Sequence, residues 1–236
     1  MFSLPTVPEL ITRIPVILVA LTVHEFCHGY AALRCGDDTA KRAGRLTLNP
    51  IPHLDLIGTI CLLIAPIGWA KPVPVNPYYF RNPRRDEMIV SFAGPGSNFS
   101  LALIFAALAG IIVPHLPASG PAWLYPDAIR HQGAELVLAI LFWGVVLNIG
   151  LGIFNLIPLF PLDGSHILSN MLPYEQRRKY EEFNKYSPII ILALVLLGGS
   201  LLGQIIFVPS NLLFSAVLSD ENLRKIYIAL RNLKIM

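Results

Sequence analysis

The segment His24-Glu25-Phe26-Cys27-His28 is an HExxH pattern. Residues four apart lie on one face of a helix, so both imidazoles can reach one Zn²⁺. Glu25, directly after the first histidine, is placed to hold a metal-bound water and take its proton. Two histidines can also simply pack against neighbouring helices. Here they sit with an acid inside an apolar stretch, where ionisable groups are expensive in lipid and mark function. A catalytic zinc takes three protein ligands and keeps one position for water. The third ligand must therefore come from elsewhere, as a carboxylate, histidine or cysteine. Asp163 is the best candidate, in Phe154-Asn-Leu-Ile-Pro-Leu-Phe-Pro-Leu-Asp-Gly164. Pro158 and Pro161 break the preceding helix. Irregular backbone at membrane depth is tolerated only where protein buries it or it lines a wet cavity. Asp163 also suits the cap of a helix starting near Gly164; the open demand for a ligand favours coordination.

Other residues carry weaker signals. His166, three after Asp163, faces the same way on a helix. It reads as support for the metal site, as a group polarising the substrate carbonyl, or as a helix-start histidine at the membrane surface. His53 and Asp55 read as a histidine–carboxylate pair or as turn chemistry in an interfacial loop. Asn98 and Asn148, inside apolar stretches, suit helix–helix hydrogen bonds. Cys27 is a competing ligand or a small buried apolar residue. Gly144, Gly150 and Gly152 suit close helix packing.

These groups need membrane elements to position them. Of 236 residues, 54% are hydrophobic and 14% charged, against about 25% charged in soluble domains. The mean hydropathy is +0.60. Apolar segments run over 10–33, 54–69, 88–113, 134–157 and 189–218, and a span needs about 20 residues. The expected fold is an all-α polytopic membrane protein with about four to six transmembrane helices, in a single domain over 1–236. The 10–33 segment lacks a small-x-small cleavage site and is expected to be retained. Basic residues cluster in 34–52, 70–87 and 173–187, whereas 115–133 holds only Arg130. The three basic loops share one cytoplasmic face if 54–69 does not cross, so a re-entrant or hairpin-like region over 54–80 is expected. The 209–236 stretch is expected as an apolar and basic tail with a cytoplasmic preference. The net charge of +3 and the three cysteines, without a CxxC pair, favour neither a nucleic-acid partner nor a disulfide framework.

HEFCH in a first span and NLIPLFPLDG after a later one resemble the site-2 protease family of intramembrane metalloproteases. Ala93-Gly94-Pro95-Gly96-Ser97-Asn98, Thr47-Leu48-Asn49-Pro50 and Gly68-Trp69-Ala70-Lys71-Pro72-Val73-Pro74 look like the small bacterial members, without PDZ or CBS domains. The resemblance implies one Zn²⁺ per chain on His24, His28 and Asp163, with Glu25 as catalytic base. It implies Asn155 as an active-site polar residue holding substrate backbone. His166, His53 and Asn98 stand as further candidates for substrate binding or support of the site. The expected activity is hydrolysis of peptide bonds in membrane-anchored proteins within or near the bilayer, from a bacterial inner membrane. A membrane metal transporter or metal-binding scaffold using the same ligands is the alternative. The 54–80 region offers a strand edge to an unwound substrate.

Overall fold

Thr6 starts the first helix of the computed structural model, which describes residues 6–58, 69–116 and 128–235. Its hydroxyl accepts from the Glu9 N–H while the Glu9 carboxylate accepts from the Thr6 N–H, a capping box that opens α1, Val7–Cys35. Gly36 closes α1 at φ 114°, a left-handed conformation. A Cβ there would lie 2.8 Å from the Tyr79 carbonyl oxygen, so glycine serves both the turn and the close approach. The one-turn helix α2, Thr39–Arg42, follows. Helix α3 covers Pro83–Ile112, α4 Ala128–Asn155, α5 Asp163–Met171, α6 Tyr174–Phe183, α7 Ser187–Leu197, α8 Gly199–Val217 and α9 Asp220–Asn232.

Four helices among the described residues are long and apolar enough to cross a bilayer: α1, α3, α4 and α8. The chain is an all-α polytopic membrane protein. Helix α7, at 11 residues, is too short, and Gly198 separates it from α8. Helix α8 runs through Pro209 to Val217, and α9 follows from Asp220. Neighbouring helices and side chains make such a proline tolerable, and Ser210 bonds back to the Ile206 carbonyl.

Rings seated against glycines hold α3 on α4. A Cβ at Gly144 would lie 2.3 Å from the Phe105 ring, and one at Gly152 would lie 2.7 Å from Phe99. The pairing of 105 with 144 and 99 with 152 runs the two helices antiparallel. Ala102, Ala106 and Ala109 complete the α3 face. In lipid, close backbone approach of this kind replaces the hydrophobic drive available in water. Phe142 of α4 stacks on Phe214 of α8 at 6.0 Å.

Leu54 and Ala70 form an isolated antiparallel bridge, and the Lys71 N–H donates to the His53 carbonyl at 2.9 Å. Both flanks of the marginal apolar segment therefore return to one place. The path of 59–68 itself, on which the re-entrant expectation falls, lies outside the described residues. Helix α9 buries Ile226, Ala229 and Leu230 and packs against α4. Lys225 donates to the Leu116 carbonyl at 3.3 Å, and Asn232 to Glu135 at 2.7 Å. The tail thus sits at the 113–135 end of the bundle, away from Arg34, Arg81 and Arg84. Its apolar face finds its partner there, and this packing sets its position rather than its charge.

Candidate metal centre

His24, Glu25 and His28 occupy one buried stretch of α1. Two kinds of contact orient the imidazoles from α3. His28 Nδ1 lies 2.7 Å from the Val90 carbonyl oxygen, which can only accept. His24 Nδ1 lies 2.7 Å from Asn98 Oδ1. The Asn98 amide nitrogen donates to the Ala20 carbonyl and to Asn148 Oδ1, which fixes which way its oxygen points. Both Nδ1 atoms therefore carry the proton, and both Nε2 atoms present lone pairs.

Those lone pairs converge. The two Nε2 atoms lie 2.9 Å apart, and Asp163 Oδ2 lies 3.3 Å from each. Asp163 Oδ2 is buried without a hydrogen-bond donor. Three buried acceptors facing one point repel one another unless a cation stands between them. Tetrahedral zinc with bonds of about 2.0–2.1 Å separates its ligand atoms by about 3.3 Å. Among the described residues, these three form the group of His, Cys, Asp or Glu that could hold a metal ion. The residues present fit zinc.

Glycine makes room for the centre. A Cβ on Gly94 of α3 would lie 2.3 Å from His28 Nε2 and 2.6 Å from His24 Cε1. Gly164 does the same for Asp163, since a Cβ there would lie 2.2 Å from the Leu156 carbonyl oxygen. The loop between α4 and α5 folds tightly back on itself through the Leu159 N–H to Ile157 and the Leu162 N–H to Leu159. The Tyr180 hydroxyl donates to the Pro158 carbonyl at 3.0 Å, and Asn184 accepts from the Phe160 N–H at 3.3 Å, anchoring the loop from the α6 side.

Glu25 Oε2 accepts from the Val73 N–H at 2.8 Å. Val73 belongs to Lys71-Pro-Val-Pro-Val-Asn76, an irregular strap crossing the end of α1. Arg45 donates to the Lys71 carbonyl at 2.6 Å, and the Asn76 N–H donates to the fully buried Asp37 at 2.7 Å. One carboxylate oxygen of Glu25 is thus held by the strap, and the other is left for chemistry.

The remaining sequence candidates separate. Asn98 supports His24 rather than merely joining helices, and Asn148 stands behind it. Asn155 donates from its amide nitrogen to the Leu151 carbonyl of its own helix at 3.0 Å. His166 Nδ1 lies 3.0 Å from Glu87 Oε1. His53 is buried with Nε2 2.9 Å from the Thr47 carbonyl oxygen, and Asp55 accepts from the Gly58 N–H at 2.8 Å, both loop-building contacts. Cys27 faces an apolar cavity of about 380 Å³ between α1 and α3, together with Tyr30, Ser97 and Ile104. Sequence reasoning missed Val73, Val90 and Glu87. The first two act through backbone atoms, which leave no mark in a sequence.

Comparison with known proteins identifies relatives of the chain. The model of Peptidase family M50 matches residues 117–198, which include α4, the loop, and Asp163. Two kinds of relative carry the name "Putative zinc metalloprotease". YwhC of Bacillus subtilis is 42% identical over 193 residues, covering 82% of this chain and 82% of that protein. Rip2 of Mycolicibacterium smegmatis is 30% identical over 186 residues, covering 76% of this chain and 64% of that protein. Rip2 of Mycobacterium tuberculosis matches to the same extent. No solved structure matches the chain.

Proposed function

The chain belongs to peptidase family M50, and on that premise we propose that this zinc metalloprotease cuts membrane-anchored proteins within or beside the bilayer. The observation that carries the site is the convergence of His24, His28 and Asp163, with Glu25 one residue from the first ligand. In this reading His24, His28 and Asp163 hold one Zn²⁺ per chain. Zinc, when bound, polarises a carbonyl oxygen and lowers the pKa of water.

The protein's own groups do the rest. Asn98 and the Val90 carbonyl hold the imidazoles with Nε2 turned inward. The Val73 N–H fixes one oxygen of Glu25. The other oxygen accepts the proton of the attacking water and returns a proton to the leaving nitrogen. His24 lies seventeen residues into α1, about 25 Å along a helix rising 1.5 Å per residue, so the cut falls inside or at the edge of a core about 30 Å thick. A helical substrate must unwind to reach it. The end carrying Arg34, Arg81 and Arg84 faces the cytoplasm of a bacterial cell.

Glu25→Gln tests this reading. It keeps the size of the side chain and cannot take the proton. The variant should retain zinc and lose cleavage of a single-span reporter in liposomes by at least about 10²-fold. Undiminished cleavage sinks the assignment. Zinc flux without proteolysis by the wild type would revive the transporter, which neither the family nor the relatives favour.

A further inference from the structure

One turn from Asp163, His166 of α5 and Glu87 of α3 build a second acid–imidazole pair. Helix α5 runs antiparallel to the first turns of α3. Asp163 meets the histidines where Gly94 and Val90 back them, and His166 meets Glu87, three residues before Val90. The offset of three residues on each helix is about 5 Å along the axis. Residues three apart are neighbours on a helix surface, so His166 lies on the same side of α5 as Asp163.

The contact at 3.0 Å assigns the Nδ1 proton of His166 to Glu87, because the ionised carboxylate only accepts. Nε2 is then turned away from Glu87, and the side chain keeps 44% of its exposure. The Phe160 ring stands edge-on at 6.5 Å. Other polar groups nearby are already engaged. Asn98 serves His24, and one oxygen of Glu25 holds Val73. Peptide hydrolysis needs a donor where the carbonyl oxygen gains charge.

We propose that His166, held in place by Glu87, is a catalytic residue that donates from Nε2 to the scissile carbonyl oxygen, with Glu87 as its positioning residue. This rests on the reading of Glu25 as base and His24, His28 and Asp163 as ligands. No bond to His166 forms. The attacking water still loses its proton to Glu25, and His166 only stabilises the charge on the carbonyl oxygen.

The experiment compares His166→Ala, His166→Arg and Glu87→Gln in the full-length zinc-loaded protein, on the liposome reporter, with Glu25→Gln alongside. His166→Ala should keep one zinc per chain and lose about 10²-fold or more in kcat, with KM within about threefold. His166→Arg, which restores a donor, should regain at least about tenfold. Glu87→Gln should lose about tenfold in kcat with zinc retained. A kcat within about threefold of wild type in His166→Ala, loss of its zinc, or no recovery in His166→Arg would each overturn the proposal. Wild-type turnover in Glu87→Gln would overturn the positioning role. An active Glu25→Gln would instead strike the reading of the site beneath it, so the two failures are separable.

Discussion

The carboxylate of Glu25 is tied to the backbone of Val73, 48 residues away, by a buried hydrogen bond of 2.8 Å. The bond joins the middle of α1 to the strap that follows the 54–70 segment. The strap's two prolines, Pro72 and Pro74, have no N–H to offer, which leaves Val73 as the donor between them. The Val73 side chain is itself buried, and lies where a Cβ on Gly29 would approach it to 3.2 Å.

Removing that donor should therefore reach catalysis. Val73→Pro is expected to lower kcat about tenfold to a hundredfold, in line with about 1.5–3 kcal/mol for a hydrogen bond to a charged group. Zinc content should stay unchanged. Val73→Ala, which keeps the N–H, should lose stability but little turnover. Equal turnover in the two variants would show that the strap is packing alone.

Gly94 is the glycine that faces both imidazoles. Gly94→Ala puts a methyl within 2.6 Å of both imidazoles. We expect loss of most bound zinc, read by metal analysis, with the helical circular dichroism signal kept. Full occupancy would mean that α3 can shift outward freely.

Asn98→Ala removes the partner of His24 Nδ1 and frees the ring to rotate. Zinc affinity should fall about ten- to a hundredfold in a chelator competition. Asn148→Ala, one bond further out, should cost less. An Asn148 effect larger than that of Asn98 would reverse this order of support.

Single cysteines in a background lacking Cys27, Cys35 and Cys61 can report sidedness. Probes at Thr39 and Asn82 should label from one face, and a probe at Arg224 from the other, because α9 is fastened to Leu116 and Glu135. Labelling of all three from one face would contradict the observed docking of α9.

The parts of this site legible in the sequence are those set by local spacing or by chemical demand. Two histidines four apart must share a helical face, and a two-histidine zinc site asks for a third ligand, which led to Asp163. Asn98 was visible as a polar residue in lipid, but its partner His24 is 74 residues away, and only the packing of α3 on α1 selects it. The Asn155 amide nitrogen donates to the Leu151 carbonyl of its own helix. The sequence left the side of the basic tail open, because its charge says nothing of the apolar face of α9, which packs on α4. Glu87 gave no signal, since an acid near the start of a helix is ordinary.

The rings of Phe99 and Phe105, seated against Gly152 and Gly144, act as a ratchet between α3 and α4. Sliding one helix along the other would drive each ring into the wall of its notch. Gly94 lies on the same helix as Phe99, and Asp163 follows closely after the end of α4. The depth of the third ligand relative to the two histidines is thus gauged by these fits and not by bilayer thickness. A thinner or thicker membrane would meet the bundle by tilting it as a unit. Hydrophobic mismatch should then change how a substrate enters, while the metal stays bound.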